Sequence, residues 1–203
     1  MKKKTTAFIM MLLVAIFIAT NCGAASAATK YLSLGTGGVT GVYYPLGGAM
    51  ANLITQKIPG YNCTAESTGG AVENAMLIYK NKIDIGFVDA SSAFNAPRKK
   101  GAFANEDVKN LRGLVSVYPE SVQVVTLDKN IKTIGDLKGK RVAVGSPGSG
   151  TEVMAKDLLT LYGLTYDDIK EDFLGFGDAS SGLKDKTLDA AFIWAGVPTS
   201  GVM

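Results

Sequence analysis

The stretch "RVAVGSPGSGTEVMAKDLL" (141–159) decides the fold. Arg141–Val144 reads as a short strand. Glycines at 145, 148 and 150 crowd into the turn that follows it. Ser149 and Glu152 then have the S-x-x-E spacing of a capping box, in which a hydroxyl and a carboxylate satisfy backbone N–H groups at a helix start. Val153, Met154, Leu158, Leu161 and Tyr162 form the apolar stripe of an amphipathic helix, and Gly163 marks its end. Strand, tight turn and helix in this order form the repeating unit of a parallel α/β sheet. The turn also looks like a phosphate loop. Gly145 and Gly150 have the P-loop spacing, but Thr151 stands where that loop needs lysine, so a nucleoside triphosphate is not the expected ligand.

The same unit recurs on either side. "YLSL" (31–34) is a predicted strand, followed by a helix over 44–57 with Pro45 in its first turn and Leu46, Met50, Leu53 and Ile54 on one face. "YNCTAE" (61–66) is a strand, Val72, Ala75, Met76 and Tyr79 stripe a second helix, and "IDIGFV" (83–88) is a third strand. An extended stretch over 111–127, interrupted at Pro119, leads into a second series: a short helix at 133–137 capped by Thr133 and Asp136, the strand at 141–144, a strand at 170–176, a helix at 178–186 and a strand at 188–196. Alternating strands and helices predict two α/β halves with parallel or mixed sheets flanked by helices. The expected divisions are 1–27 as an export signal, 28–120 as a first lobe and 121–203 as a second, incomplete lobe.

The export signal rests on three features. Lys2, Lys3 and Lys4 precede the 14-residue apolar run 7–20, and "ASA" (25–27) offers small residues for cleavage. The run suits a signal core better than a membrane span. Cys22 leaves open a lipid-anchored form, although Ala19 and Asn21 fit the lipidation motif poorly. The chain has 21 basic and 18 acidic residues, and the signal holds three of the lysines and no acid, so the remainder is neutral. A neutral chain with no basic tract longer than Arg98–Lys100 gives no support for nucleic-acid binding. Histidine is absent, which removes Ser-His-Asp catalysis and the commonest metal ligand. Cys63 is the one cysteine beyond the signal, so no internal disulfide forms and no sulfur metal cluster is expected; it reads as a buried strand residue. No cofactor is expected.

Three strand-to-helix loops, "GTGGVTGVYYP" (35–45), "ESTGG" (66–70) and "GSPGSGTE" (145–152), are rich in glycine and hydroxyls. In parallel sheets such loops gather at the carboxyl ends of the strands, where ligands bind. The unpaired N–H groups and dipole of a helix start hold a carboxylate or phosphate without a cationic side chain. Tyr44 and Tyr118 are aromatic candidates at a loop–helix junction and at the crossover, ahead of Tyr43 and Trp194. Asp89 follows a strand directly and reads equally as a receptor for a ligand ammonium or as the cap of the next helix. Asp84, Asp136, Asp167 and Asp168 read as turn and cap residues.

Six stretches, in order and spacing, resemble the TAXI-type solute-binding proteins of TRAP (tripartite ATP-independent periplasmic) transporters. They are "GTGGVTGVYYPLGGAMANLI" (35–54), "STGGAVENAMLI" (67–78), "DIGFV" (84–88), "LRGLVSVYPE" (111–120), "DLKGKRVAVGSPGSGTEVMA" (136–155) and "LDAAFIWAGVPT" (188–199). The resemblance implies a two-lobed, periplasmic-binding-protein-like fold of the second type. It implies an extracytoplasmic receptor, not an enzyme, that takes a small organic acid or amino acid, a dicarboxylate or an acidic amino acid such as glutamate, between its lobes and delivers it to TRAP permease membrane subunits. Carried over position by position, it implies ligand contacts at Thr36, Gly37, Tyr44, Thr68, Gly69, Gly70, Ala71, Asp89, Tyr118, Ser146, Gly148, Ser149, Gly150 and Thr151. Ala71 replaces a frequent serine and Asp89 a frequent glutamine. A carboxylate at 89 repels an anion and attracts an amine, which favours an amino-acid-like ligand. Members of the family are longer, and the resemblance implies that the segment returning to the first lobe is missing. Two other readings remain: a ligand-sensing clamshell for signalling, and a Ser/Thr-nucleophile enzyme, for which the chain has no histidine to act as base.

Overall fold

A computed structural model describes residues 28–203; the proposed signal, its cleavage site and Cys22 lie outside the described residues. The first half is a three-stranded parallel sheet in the order β2-β1-β3, with β1 Lys30–Gly35, β2 Tyr61–Glu66 and β3 Ile85–Gly86. Three helices accompany it: α1 Tyr43–Lys57, α2 Ala71–Tyr79 and the short α3 Ala90–Asn95. The second half is a four-stranded mixed sheet in the order β4-β7-β5-β6, with β4 Ser121–Thr126, β5 Arg141–Ala143, β6 Lys170–Asp172 and β7 Ala190–Ala195. Its helices are α4 Gly150–Leu161 and α5 Phe176–Lys184. Only β4 runs antiparallel, paired with β7 from Ser121↔Ala195 to Thr126↔Ala190. Among the described residues no helix is long and apolar enough to cross a membrane.

The strand period of two distributes the second core between two helix layers. Val142, Val144, Ala190 and Phe192 face α4 and pack with Ala155 and Leu159. Ala143 and Ala191 face the other way and pack with Ala179 and Leu183 of α5. Because both faces are covered, "AAFIWA" reads as continuous hydrophobicity without polar alternation. In the first half α1 covers Leu34, Cys63 and Phe87. Val72 and Ala75 of α2 pack with Ala96, Phe103 and Val108, and Val153 of α4 joins that cluster from the second half.

Several expected boundaries shift. Strand 83–88 is reduced to two ladder residues, because the Asp84 carboxylate takes the Ser33 N–H (2.8 Å), so that donor serves a side chain. Asp84 is therefore a strand-edge ligand of β1, not a turn residue. Residues 111–120 have no regular secondary structure, and β4 starts after Pro119, which lacks a donor for the ladder. Phe176, expected at a strand end, opens α5. The fully buried positions of α1 and α4 are mostly small: Gly47 and Ala51 in α1, and Gly150, Thr151 and Ala155 beside Leu159 in α4. Leu53, Leu161 and Tyr162 are exposed. The rest of the expected stripes packs inward, Leu46, Met50 and Ile54 in α1 and Val153, Met154 and Leu158 in α4, so bulk apolarity failed only at those three positions. Helix α4 ends at Gly163, with Leu164 N–H bonded to Leu159 O (2.9 Å) and Gly163 N–H to Thr160 O (3.0 Å).

Candidate functional site: a cavity between two sets of helix starts

The helices α1, α2, α4 and α5 all begin at one cavity between the two sheets. Its empty space is about 580 Å³, part of it open to solvent. Each parallel strand-to-helix loop delivers a helix start to the carboxyl edge of its sheet, so the topology itself produces the convergence. Val42 and Tyr43 come from α1, Gly70 and Ala71 from α2, Ser149, Gly150 and Thr151 from α4, and Gly175 and Phe176 from α5. Among the described residues, neither lysine nor arginine lines it.

Of the predicted positions, Gly37, Gly69, Gly70, Ala71, Asp89, Tyr118, Ser146, Ser149, Gly150 and Thr151 line this cavity. Four do not. Thr36 is fully buried beneath it, its hydroxyl donating to Glu66 O (2.6 Å). The Thr68 hydroxyl donates to Asn74 Oδ1 (2.8 Å) and accepts from Gly70 N–H (3.2 Å). Gly148 joins the two halves, its carbonyl accepting from Glu73 N–H (3.0 Å). Tyr44 is 39% exposed on the outside of α1. One helical step turns a side chain by about 100°, so of the two adjacent tyrosines only Tyr43 faces inward. Tyr43 stacks on Phe87 at 4.9 Å and 20°, and its ring centre lies 6.3 Å from that of Tyr118.

Asn74 organises this arrangement and escaped the sequence reading. It is 0% exposed, and its Nδ2 donates to Thr36 O (2.7 Å) and Phe87 O (2.8 Å) while its Oδ1 accepts from Thr68. One side chain thus ties together the loops after β1, β2 and β3. A polar residue inside the apolar run "AVENAMLIY" was the available signal. Two glycines are required by geometry. Gly70 has φ +122° and ψ −150°, a region that L side chains avoid, and Gly150 lies against the Asp89 carboxylate where a Cβ would collide.

Two acids line the cavity. Asp89 caps α3: Oδ1 accepts from Ser92 N–H (2.8 Å) and Oδ2 from Ser92 Oγ (2.7 Å). The cap reading of Asp89 holds, and the same carboxylate stands at the cavity wall. Glu120, at the end of the crossover, was missed. Burial pushes its carboxyl up to about 7, the Tyr43 hydroxyl works in the opposite direction and the Asp89 charge adds to the rise. Burial, helped by the Glu120 charge, also holds the Tyr43 and Tyr118 hydroxyls above the usual tyrosine range. The signal for Glu120 was a carboxylate directly beside the aromatic of "VYPESV". Phe176 and Trp194 supply further apolar wall.

At α4 the predicted capping box is half formed. Ser149 Oγ accepts from Glu152 N–H (3.1 Å), but the Glu152 carboxylate turns to the Tyr166 hydroxyl (3.2 Å). The reciprocal box is complete at Thr133 and Asp136. Chemically, the cavity offers backbone N–H donors and hydroxyls at the helix starts, two carboxylates, and aromatic walls.

Solved structures share this arrangement of elements. The chain is similar to the alkanesulfonate-binding protein SsuA from Xanthomonas axonopodis pv. citri bound to MOPS (TM-score 0.58, 23% identity, covering 83% of this chain and 55% of that one). It is similar to a binding protein component of an ABC phosphonate transporter from Pseudomonas aeruginosa (TM-score 0.56, 13% identity, 82% and 58%). A third likeness is to a structure from work on glutathione import via GshT and the cystine ABC importer TcyBC of Streptococcus mutans (TM-score 0.52, 16% identity, 82% and 68%). The chain thus spans little more than half the length of the first two. These likenesses show the periplasmic-binding-protein fold. Residues 34–203, from the last two residues of β1 through every loop of the cavity, match the NMT1-like family, and the chain belongs to that family.

Proposed function

We propose that this chain is the ligand-capturing part of an extracytoplasmic solute receptor. It takes a small organic anion, a dicarboxylate or an amino acid, between the lobes 28–120 and 121–203. The observation that carries this reading is the convergence of four helix starts from both halves on one cavity lined by no cationic side chain. Unpaired N–H groups with aligned dipoles suit a carboxylate or a comparable oxyanion. Gly37, Gly69 to Ala71 and Ser146 to Thr151, without Gly148, are the proposed contacts; Tyr43 replaces Tyr44 beside Tyr118. The absence of histidine, and the lack of lysine at the cavity to activate its hydroxyls, support a non-enzymatic role.

The receptor would be exported by the signal at 1–27 and would deliver its ligand to TRAP permease subunits, on the strength of the six ordered motifs. An ABC permease is the second reading, because two neighbours in fold have ABC import in their names. Affinity purification from solubilised membranes separates them: TRAP membrane subunits support the first reading, and an ATPase with its permease supports the second.

A thermal-shift screen with organic acids, amino acids and alkanesulfonates tests the receptor itself. A ligand at 100 times its Kd adds about 2.7 kcal/mol to stability. No shift with any compound overturns the receptor reading.

A further inference from the structure

Glu120 differs from the other acid of the cavity wall and from the helix cap beside it. Asp89 has both oxygens engaged by Ser92. Ser149 accepts from the backbone of its own helix. Among the described residues, no backbone N–H and no cationic side chain bonds to Glu120. The Tyr118 hydroxyl beside it is a buried oxygen with no hydrogen-bond partner. The groups facing Glu120 are Tyr43 at the start of α1, Asp89 ahead of α3 and Tyr118 on the crossover, and none of them is a cation. A carboxylate half removed from water with only neutral hydroxyls beside it is costly to ionise, and a bound cationic donor removes that cost. Helix starts supply N–H donors to the same cavity.

We propose that Glu120 is the specificity-determining residue of this cavity, its carboxylate receiving the ammonium of an α-amino acid whose own carboxylate lies at the helix starts. The proposal rests on the receptor reading above and narrows its ligand from organic anions in general to zwitterions. Ionised Glu120 rejects an amine-free diacid by like-charge repulsion as well as by offering it no donor. Asp89, already used as a cap, supplies background negative charge.

Calorimetry on the full chain and on Glu120→Gln provides the test, with two matched pairs: L-glutamate with glutarate, and L-leucine with 4-methylpentanoate. Ethanesulfonate serves as an oxyanion without a carboxylate. The expected result is that wild type prefers the amino acid of at least one pair by tenfold or more, on the scale of a charge-assisted hydrogen bond. Glu120→Gln should remove most of that preference by weakening the amino acid and not its partner. Wild type binding the amine-free acids or ethanesulfonate as tightly as the amino acids overturns the proposal and leaves the receptor reading standing. Binding of none of these five compounds overturns the proposal, and the receptor reading then stands or falls on the wider thermal-shift screen. A variant that keeps the full wild-type preference also overturns it. Wild type alone gives an independent readout should the variant fail to fold. The preference should fall about tenfold between pH 8.5 and pH 5.5 as Glu120 takes up its proton, and a flat profile counts against the proposal.

Discussion

A single buried amide sets the shape of the candidate site. Asn74 has no exposure, and its three hydrogen bonds reach three different loops. Asn74→Ala removes the buried donor shared by Thr36 O and Phe87 O and the acceptor of the Thr68 hydroxyl, so it should destabilise the fold by about 3 kcal/mol, read from urea unfolding. Glu120 makes the opposite kind of contribution. Its folded pKa, about 7, lies above the ordinary 4.5, so the stability linked to its protonation is present below pH 4.5 and is lost as pH rises through 7. The ligand-free wild type should therefore lose melting temperature between pH 5 and pH 8 relative to Glu120→Gln; parallel curves for the two proteins would contradict this. Asp189 acts at the acid end. Its hydrogen bonds with Arg141, at 2.7, 2.8 and 3.1 Å, hold the carboxyl down at about 2, and that contribution disappears as pH falls through 2.

At the scale of the element, the start of α4 performs two tasks with neighbouring residues. Ser149 caps the helix, and Gly150 leaves room for the Asp89 carboxylate from the other half. Ser149→Ala should cost about 1 kcal/mol in stability, the usual value of a lost N-cap. Gly150→Ala should leave helix propensity intact but weaken ligand binding by tenfold or more in calorimetry, since its Cβ forces the two halves apart. The element assignments were mostly legible in the sequence, because strand and helix periods follow from chain geometry alone. The misreadings occurred where a side chain replaced a backbone partner, as Asp84 does for β1, or where small residues governed helix approach, as Ala51 and Ala155 do.

Over the whole molecule, hydrogen bonds and packing around the cavity join the two halves. Glu73 N–H bonds to Gly148 O at 3.0 Å, Ser200 Oγ donates to Thr40 O at 2.7 Å, and Val153 packs into the first half. Hinge motion about the crossover at 111–120 is the expected response to a ligand held by both halves. A ligand bridging both sets of helix starts should shift the chain toward the closed arrangement, seen as a smaller radius of gyration in solution scattering when a binding ligand is added. Equal radii with and without it would argue against closure as the response to binding.

The sequence by itself determined that this chain alternates strand and helix in two halves, and that glycine- and hydroxyl-rich turns feed several helices. It also ruled out histidine chemistry, because these properties belong to local periodicity and composition. Only the tertiary structure decided which of two adjacent tyrosines faces the cavity, and that Thr36, Thr68 and Gly148 hold the walls together. It likewise placed Asn74 beneath the cavity and Glu120 in its wall. A residue's hydrogen-bond partners lie tens of positions away along the chain. Whether a polar group turns toward a ligand or toward the scaffold is therefore settled only when the sheets and helices pack.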